Sequence, residues 1–213
     1  MSRFRGIAFL VVVCAVLIAQ SIERAIAPGW TAPESSDYEA GIDHKVVRSG
    51  KGSLYLKSTS GNAKDYASRQ SIRADGYRGK RVRLTAWVKP DEAEQGGAPW
   101  LRVDFPNADY VLDGMLELTK ASSARAVNGW VKCELVAQIP DDALGVSFGL
   151  RIIGKGEIWA DDLAFDIVPA TVRTSTIERR KYRSPDREAA MQRLRQQYAS
   201  APDRPLNLGF ENP

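Results

Sequence analysis

From about Pro28 to Ala170, apolar residues alternate with polar ones in short runs separated by Gly, Pro, Asn and Asp. Leu54 and Leu56 share one face of such a run, and Val82, Leu84, Ala86 and Val88 share one face of the next clear one. Leu101, Val103 and Phe105 follow, then Val131, Cys133, Leu135 and Ala137. Val146, Phe148, Leu150 and Ile152 come next, and Trp159, Leu163, Phe165 and Ile167 close the series. Period-two alternation bounded by turn residues predicts antiparallel strands with one face buried. Six or more strands with no helix-period segment between them predict an all-β fold, a jelly-roll β-sandwich of antiparallel strands. Residues 91–99, acidic and Gly-rich, and residues 107–128 lack the alternation and are predicted as long loops, which on a rigid sandwich often border a binding site.

The pattern changes after Ala170. Residues 171–183 are polar and basic, with Arg173, Arg179, Arg180, Lys181 and Arg183 among them, and read as a solvated linker or a segment facing an anionic membrane. Ser184-Pro185-Asp186 then supplies an N-cap, a first-turn proline and an acidic first turn. Met191, Leu194 and Tyr198 fall on one face of the C-terminal amphipathic helix that this start predicts, ending near Ala199. Residues 201–205 break the helix, and residues 206–213 end the chain.

At the other end, Arg3 and Arg5 precede an uninterrupted apolar run over residues 7–19. The run is short for a membrane-spanning helix and suits a signal-peptide core. Ala25-Ile26-Ala27 has the small-x-small form of a cleavage site, whereas Pro28 directly after it favours a retained signal anchor. Both readings place the protein outside the cytoplasm, periplasmic or extracellular, the second with a membrane tether at residues 7–19. The expected division is therefore residues 1–27 for export, 28–170 for the sandwich, 171–205 for linker and helix, and 206–213 as a strand-like segment.

Strand phase also defines the outward residues. Arg83, Thr85, Trp87 and Lys89 oppose the core set of their strand, Trp100, Arg102 and Asp104 that of theirs, and Ser147, Gly149 and Arg151 that of a third. If the three strands lie in one sheet, one face combines two indoles, three arginines and an aspartate. Aromatic planes stack on the C–H faces of sugar rings, and planar donors and carboxylates pair with hydroxyls. Three arginines further favour acidic sugars, because a guanidinium pairs a carboxylate in bidentate fashion. The competing reading has loops over this face, with Trp87 and Trp100 as a minor core. Trp30, Trp130 and Trp159 are assigned to core or edge packing.

Composition removes other chemistries. The 213 residues carry 30 basic against 26 acidic side chains, a net +4 too small and too dispersed to argue for nucleic acid. A single histidine, His44, and two cysteines, Cys14 in the export segment and Cys133 in phase with a buried strand face, exclude a His-based zinc site of usual type, a Cys-His dyad and a disulfide within the exported part. No phosphate loop, dinucleotide fingerprint or nucleophile elbow occurs. Asp104, Asp113 and Glu117 lie near the proposed face, but nothing singles out one of them as a catalytic acid.

Four marks recur in order. They are Gly50-Lys51-Gly52-Ser53, the strand from Tyr77-Arg78-Gly79-Lys80 to Trp87-Val88-Lys89, Asn128-Gly129-Trp130, and Gly154-Lys155-Gly156-Glu157-Ile158-Trp159-Ala160-Asp161-Asp162. Over residues 28–168 the chain resembles carbohydrate-binding modules of the family 4 and 9 kind, galactose-binding-like jelly rolls. In that family an Asn-x-x-Phe-Glu-like motif opens the first strand ahead of a Gly-Trp. Here Gly29-Trp30 stands without it, and the motif appears at the far end as Asn207-Leu208-Gly209-Phe210-Glu211. The end segment either returns to fill the vacant position, begins a second module, or is a remnant. The resemblance also implies a structural Ca²⁺ held by Glu211, the loop up to Ser53, and Asp161 or Asp162. Without calcium, Asp161 and Asp162 solvate a strand and Ser53 begins one. The implied function is non-catalytic glycan binding at Arg83, Trp87, Trp100, Arg102, Asp104 and Arg151, with no cofactor required. The alternatives are a structural or protein-interaction domain of a cell-envelope assembly, or part of a larger multidomain protein.

Overall fold

The computed structural model describes residues 23–106, 108–114, 126–176, 178–181 and 187–212. Two antiparallel sheets face each other across one apolar core. The first runs in the order β10 (Val131–Gln138), β7 (Arg81–Asp91), β12 (Glu157–Val168), β4 (Ser53–Ser58) and β3 (Tyr38–Asp43). The second runs β13 (Glu178–Lys181), β9 (Ala108–Asp113), β8 (Gly97–Phe105), β11 (Gly145–Ile153) and β5 (Asp65–Ala67), with β6 (Gln70–Arg73) also on β11. A hairpin of β1 (Glu23–Ala27) and β2 (Trp30–Pro33) precedes them. The fold is an all-β jelly-roll sandwich, as the alternation predicts.

The period-two residues close the core. Leu54, Leu56, Val82, Leu84, Ala86, Val88, Leu101, Val103, Val146, Phe148 and Ile152 have no exposed surface. One phase assignment is corrected. In β12 the register slips between Asp161 and Ala164, a bulge where Asp162 takes φ +48°. Ile158 and Ala160 therefore point inward with Leu163, and Trp159 turns to the other side, where its indole N–H donates to Asp43 Oδ2 at 2.9 Å.

Two predicted loops contain strands. β9 lies within residues 107–128, and β13 within the basic linker, and the two pair with each other at the sheet margin. Short strands near a sheet margin carry too few residues to show clear alternation, so the pattern misses them. Residues 92–96 alone separate β7 from β8.

The helix α1 (Arg187–Ala199) buries Met191, Leu194 and Tyr198 against Leu144 and Ala201, a cluster separate from the main core. Its predicted cap, residues 184–186, and the apolar run 7–19 lie outside the described residues. Among the described residues no helix is long and apolar enough to cross a membrane.

Residues 206–212 return to the sandwich. Gln70 brackets Leu206, accepting its N–H at 2.7 Å and donating to its carbonyl at 2.9 Å. Leu163 N–H donates to the Leu208 carbonyl at 3.1 Å. Phe210 is 1% exposed and its ring centroid lies 5.2 Å from that of Trp30. The segment is irregular rather than a ladder strand, yet it covers the Trp30 end of the core.

Candidate ligand-binding face

The outer face of the second sheet is shaped by β11. Its outward positions, Gly145, Ser147, Gly149 and Arg151, alternate with the buried Val146, Phe148, Leu150 and Ile152. Two glycines on the outward side make a shallow trough along the strand, filled by the Ser68 backbone at Gly149 and the Tyr198 ring at Gly145. Trp100 pairs with Gly149 across the ladder, and the Ser68 backbone packs over that glycine, its carbonyl oxygen close to where a Cβ would stand. A Cβ on Gly149 would sit 3.1 Å from the indole nitrogen, and the indole N–H donates to the Ser68 carbonyl at 3.2 Å. The indole is thus held by its N–H beside Gly149 and remains partly exposed.

Arg102, the next outward residue of β8, donates from Nε to Asp104 Oδ2 at 3.0 Å. Arg151 grips Asp65 in bidentate fashion, Nε and Nη2 each 2.7 Å from a carboxylate oxygen. Each guanidinium is fixed by a carboxylate, so the strip presents planar donors with its charge balanced.

The far end of the trough is covered. Tyr198 of α1 lies over Gly145, where a Cβ would run into its ring. Its hydroxyl donates to Asp104 Oδ2 and lies 2.9 Å from Ser147 Oγ, which in turn lies 2.8 Å from Ser71 Oγ. Asp104 and Ser147 have no exposed surface. Burial and then the Asp104 charge push the Tyr198 hydroxyl well above the ordinary phenol range, so it remains a donor throughout the neutral range.

The structure divides the residues expected on one face. Trp100, Arg102, Asp104 and Arg151 share the outer face of the second sheet, while Arg83 and Trp87 belong to β7 in the first. β7 and β8 are consecutive in the chain but cross from one sheet to the other, so they are not ladder neighbours. Trp87 is capped by the Arg48 guanidinium, 3.9 Å above its ring. Arg83 stands 3.8 Å from Glu134 and 4.0 Å from Asp166. Tyr198, Asp65, Ser68 and Gly145 join the second face without having been singled out for it. The one sequence signal for them is the small-residue alternation Gly145-x-Ser147-x-Gly149 on the polar side of a strand.

The predicted calcium ligands meet at the loop between β3 and β4, but as acceptors for protein donors. Asp161, fully buried, accepts the N–H groups of Arg48 at 2.9 Å, Ser49 at 3.1 Å and Asp162 at 2.7 Å. Burial raises the Asp161 carboxyl above its usual value despite these donors. Asp162 accepts Ser49 Oγ at 2.6 Å and pairs with the Arg48 guanidinium. Glu211 Oε1 accepts Lys51 N–H at 2.9 Å, and Ser53 donates its hydroxyl to the Val46 carbonyl at 2.6 Å. A calcium ion needs about six to eight oxygens converging on one point. Here the oxygens face N–H groups and a guanidinium, and among the described residues no group of three or more His, Cys, Asp or Glu side chains could hold a metal. The arrangement does not fit calcium; it clamps a loop.

No protein-family model matches this chain. It is 32% identical over 157 residues to the uncharacterized HTH-type transcriptional regulator YbfP of Bacillus subtilis (strain 168), a match covering 70% of this chain and 51% of that protein. The chain therefore spans about half the length of this curated relative. Among solved structures it is similar to the CBM22-1 xylan-binding domain from Paenibacillus barcinonensis Xyn10C, with 16% identity, 71% of this chain and 93% of that one covered, and a TM-score of 0.47. It is also similar to the CBM22-1 and GH10 modules of Clostridium thermocellum xylanase 10B complexed with xylohexaose, with 10% identity, 72% and 29% covered, and a TM-score of 0.44. The enzymatically active domain of bacteriophage CBA120 tailspike protein 4 is a third, with 14% identity, 66% and 19% covered, and a TM-score of 0.46. The modules named here are of family 22 rather than the family 4 and 9 kind, and the identities are too low to carry any site residue across.

Proposed function

We propose that the sandwich binds a neutral, polyhydroxylated ligand, an oligosaccharide, on the outer face of the second sheet, without chemically altering it. The observation that carries this reading is the partly exposed Trp100 indole beside Gly149, its N–H tied to the Ser68 carbonyl. A fixed aromatic plane binds the apolar face of a sugar ring without losing side-chain freedom. Arg102 and Arg151 flank it as oriented donors for ring hydroxyls. Their pairing with Asp104 and Asp65 favours neutral over acidic sugars, since an anionic ligand gains little from a charge already balanced. Export by residues 7–19 belongs to the same reading, and rests on the apolar run behind Arg3 and Arg5.

Titration of the protein with soluble neutral and acidic oligosaccharides, followed by calorimetry, tests this. Trp100→Ala is expected to weaken binding by about tenfold or more, the equivalent of one lost stacking contact, while Trp87→Ala leaves it unchanged. A folded Trp100→Ala variant that binds as well as the native protein would sink the assignment of this face. The likeness to half of a transcriptional regulator favours a second reading, in which the sandwich is the ligand-sensing unit of a larger protein. In that case Trp100 keeps the same role and the effect of ligand appears in an attached domain.

A further inference from the structure

The seat beneath α1 is unusual for a helix that only adds stability. Main cores are covered by apolar surface, yet Tyr198 reaches down to Asp104 and Ser147, a carboxylate and a hydroxyl with no exposed surface. Trp100 stands beside Gly149 and the Tyr198 ring over Gly145, on the same face of the same strand. The two glycines are four residues apart, roughly 13 Å at the rise of a β-strand. At one end the partly exposed Trp100 indole stands beside the Ser68 backbone, and at the other a phenol ring and its hydroxyl occupy the trough.

We propose that the Asp104–Ser147 end of the trough is a second subsite for the same ligand, and that Tyr198 occupies it as a built-in competitor. The proposal rests on the carbohydrate reading above. A ring over Gly145 with a hydroxyl donated to Asp104 is what a sugar residue would supply there, so the tyrosine stands in for it group by group. A ligand long enough to run from Trp100 to Asp104 displaces the helix, and a single ring at Trp100 does not. Among the described residues the apolar contacts of α1 are Met191, Leu194 and Tyr198 with Leu144 and Ala201, a cluster separate from the main core, so the helix can leave while the sandwich stays folded. The ligand class that follows is a neutral chain of several sugar rings.

The affinity of a site that is open for only a fraction of the time is reduced by that fraction. Met191→Asp combined with Leu194→Asp in the full chain undocks the helix and leaves both subsites intact. The probes are xylo-, cello- and manno-oligosaccharides from monosaccharide to hexasaccharide. Expected are a gain of about tenfold or more for a hexasaccharide in the undocked variant, no gain for a monosaccharide, and faster amide exchange over residues 187–199 of the native protein when a hexasaccharide binds. Equal hexasaccharide affinity in both proteins, or binding that leaves exchange in α1 unchanged, overturns the second subsite. Loss of binding in Trp100→Ala would still uphold the first. Failure of every probe to bind either protein overturns both readings. The exchange measurement needs only the native protein, so a variant that misfolds leaves the proposal testable.

Discussion

Asp43 shows how a single side chain joins two elements. It ends β3, and its carboxylate accepts the N–H groups of Lys45 at 2.7 Å and Val46 at 3.3 Å and the Trp159 indole N–H at 2.9 Å. Burial by itself would raise this carboxyl, but the three donors and the nearby Lys45 charge outweigh it, and the folded value falls below the ordinary one. A lowered folded value means that the proton prefers the unfolded chain. The stability contributed is full above the unfolded carboxylate value of about 3.9 and is lost as pH falls through it toward the folded value. Asp43→Ala is therefore expected to lower the urea midpoint near neutral pH, with the gap to the native protein narrowing below about pH 4. An equal gap at neutral and acid pH would show that the donors do not read the charge. Gly50, in the following loop, has φ +63°, and a Cβ there would run into the Glu211 carboxylate. One residue thus provides both the turn and the room for the end of the chain.

Among the elements, residues 206–212 and α1 lie close in sequence and differ in energetic role. Phe210 is buried in the main core against Trp30, whereas Met191, Leu194 and Tyr198 form a satellite cluster. Phe210→Ala is expected to cost about 3–5 kcal/mol, the transfer term plus an aromatic-sized cavity beside Trp30. Chemical denaturation followed by tryptophan fluorescence measures it. A cost below about 1 kcal/mol would mean that the segment lies on the sandwich without completing it. Helix-undocking variants act on a face that the core does not need, so their effect belongs in ligand affinity and local exchange.

For the molecule as a whole, two sheets of different outer character enclose one core. On the first sheet's outer side a loop covers Trp87 and Asp161, with Arg48 on Trp87 and the backbone of Arg48 and Ser49 on Asp161. The second has the strip from Trp100 to Gly145, partly exposed at the indole and covered by Tyr198 at the other end. Between them Cys133 is buried at 4% exposure, and burial pushes its thiol up to about 12. The raised value keeps the native thiol protonated and unreactive. Alkylation near pH 8.5, where an unfolded thiol is about half ionised, is expected to label the Cys133 peptide only at the rate of global unfolding, as read by mass spectrometry. Rapid labelling of the native protein would show that the core opens locally at β10.

Strand phase is a local property, and the sequence by itself determined it. Val82 to Val88, Leu101 to Val103 and Val146 to Ile152 alternate because each strand has one dry face, and that is visible without knowing its neighbours. The same phase identified Trp100, Arg102, Asp104 and Arg151 as outward. Which outward residues share a face depends on strand order, a long-range property, and here consecutive strands β7 and β8 cross between sheets and separate Arg83 and Trp87 from the rest. The bulge at Asp161–Ala164 was equally hidden, because one inserted residue reverses the phase for the rest of β12. The carboxylates of Asp161, Asp162 and Glu211 could be named from sequence, but whether their oxygens meet a cation or N–H groups is decided by the backbone that folds around them. Tyr198 was readable only as one face of a helix. That its hydroxyl would reach a buried aspartate beside the apolar contacts follows from where the chain returns in space.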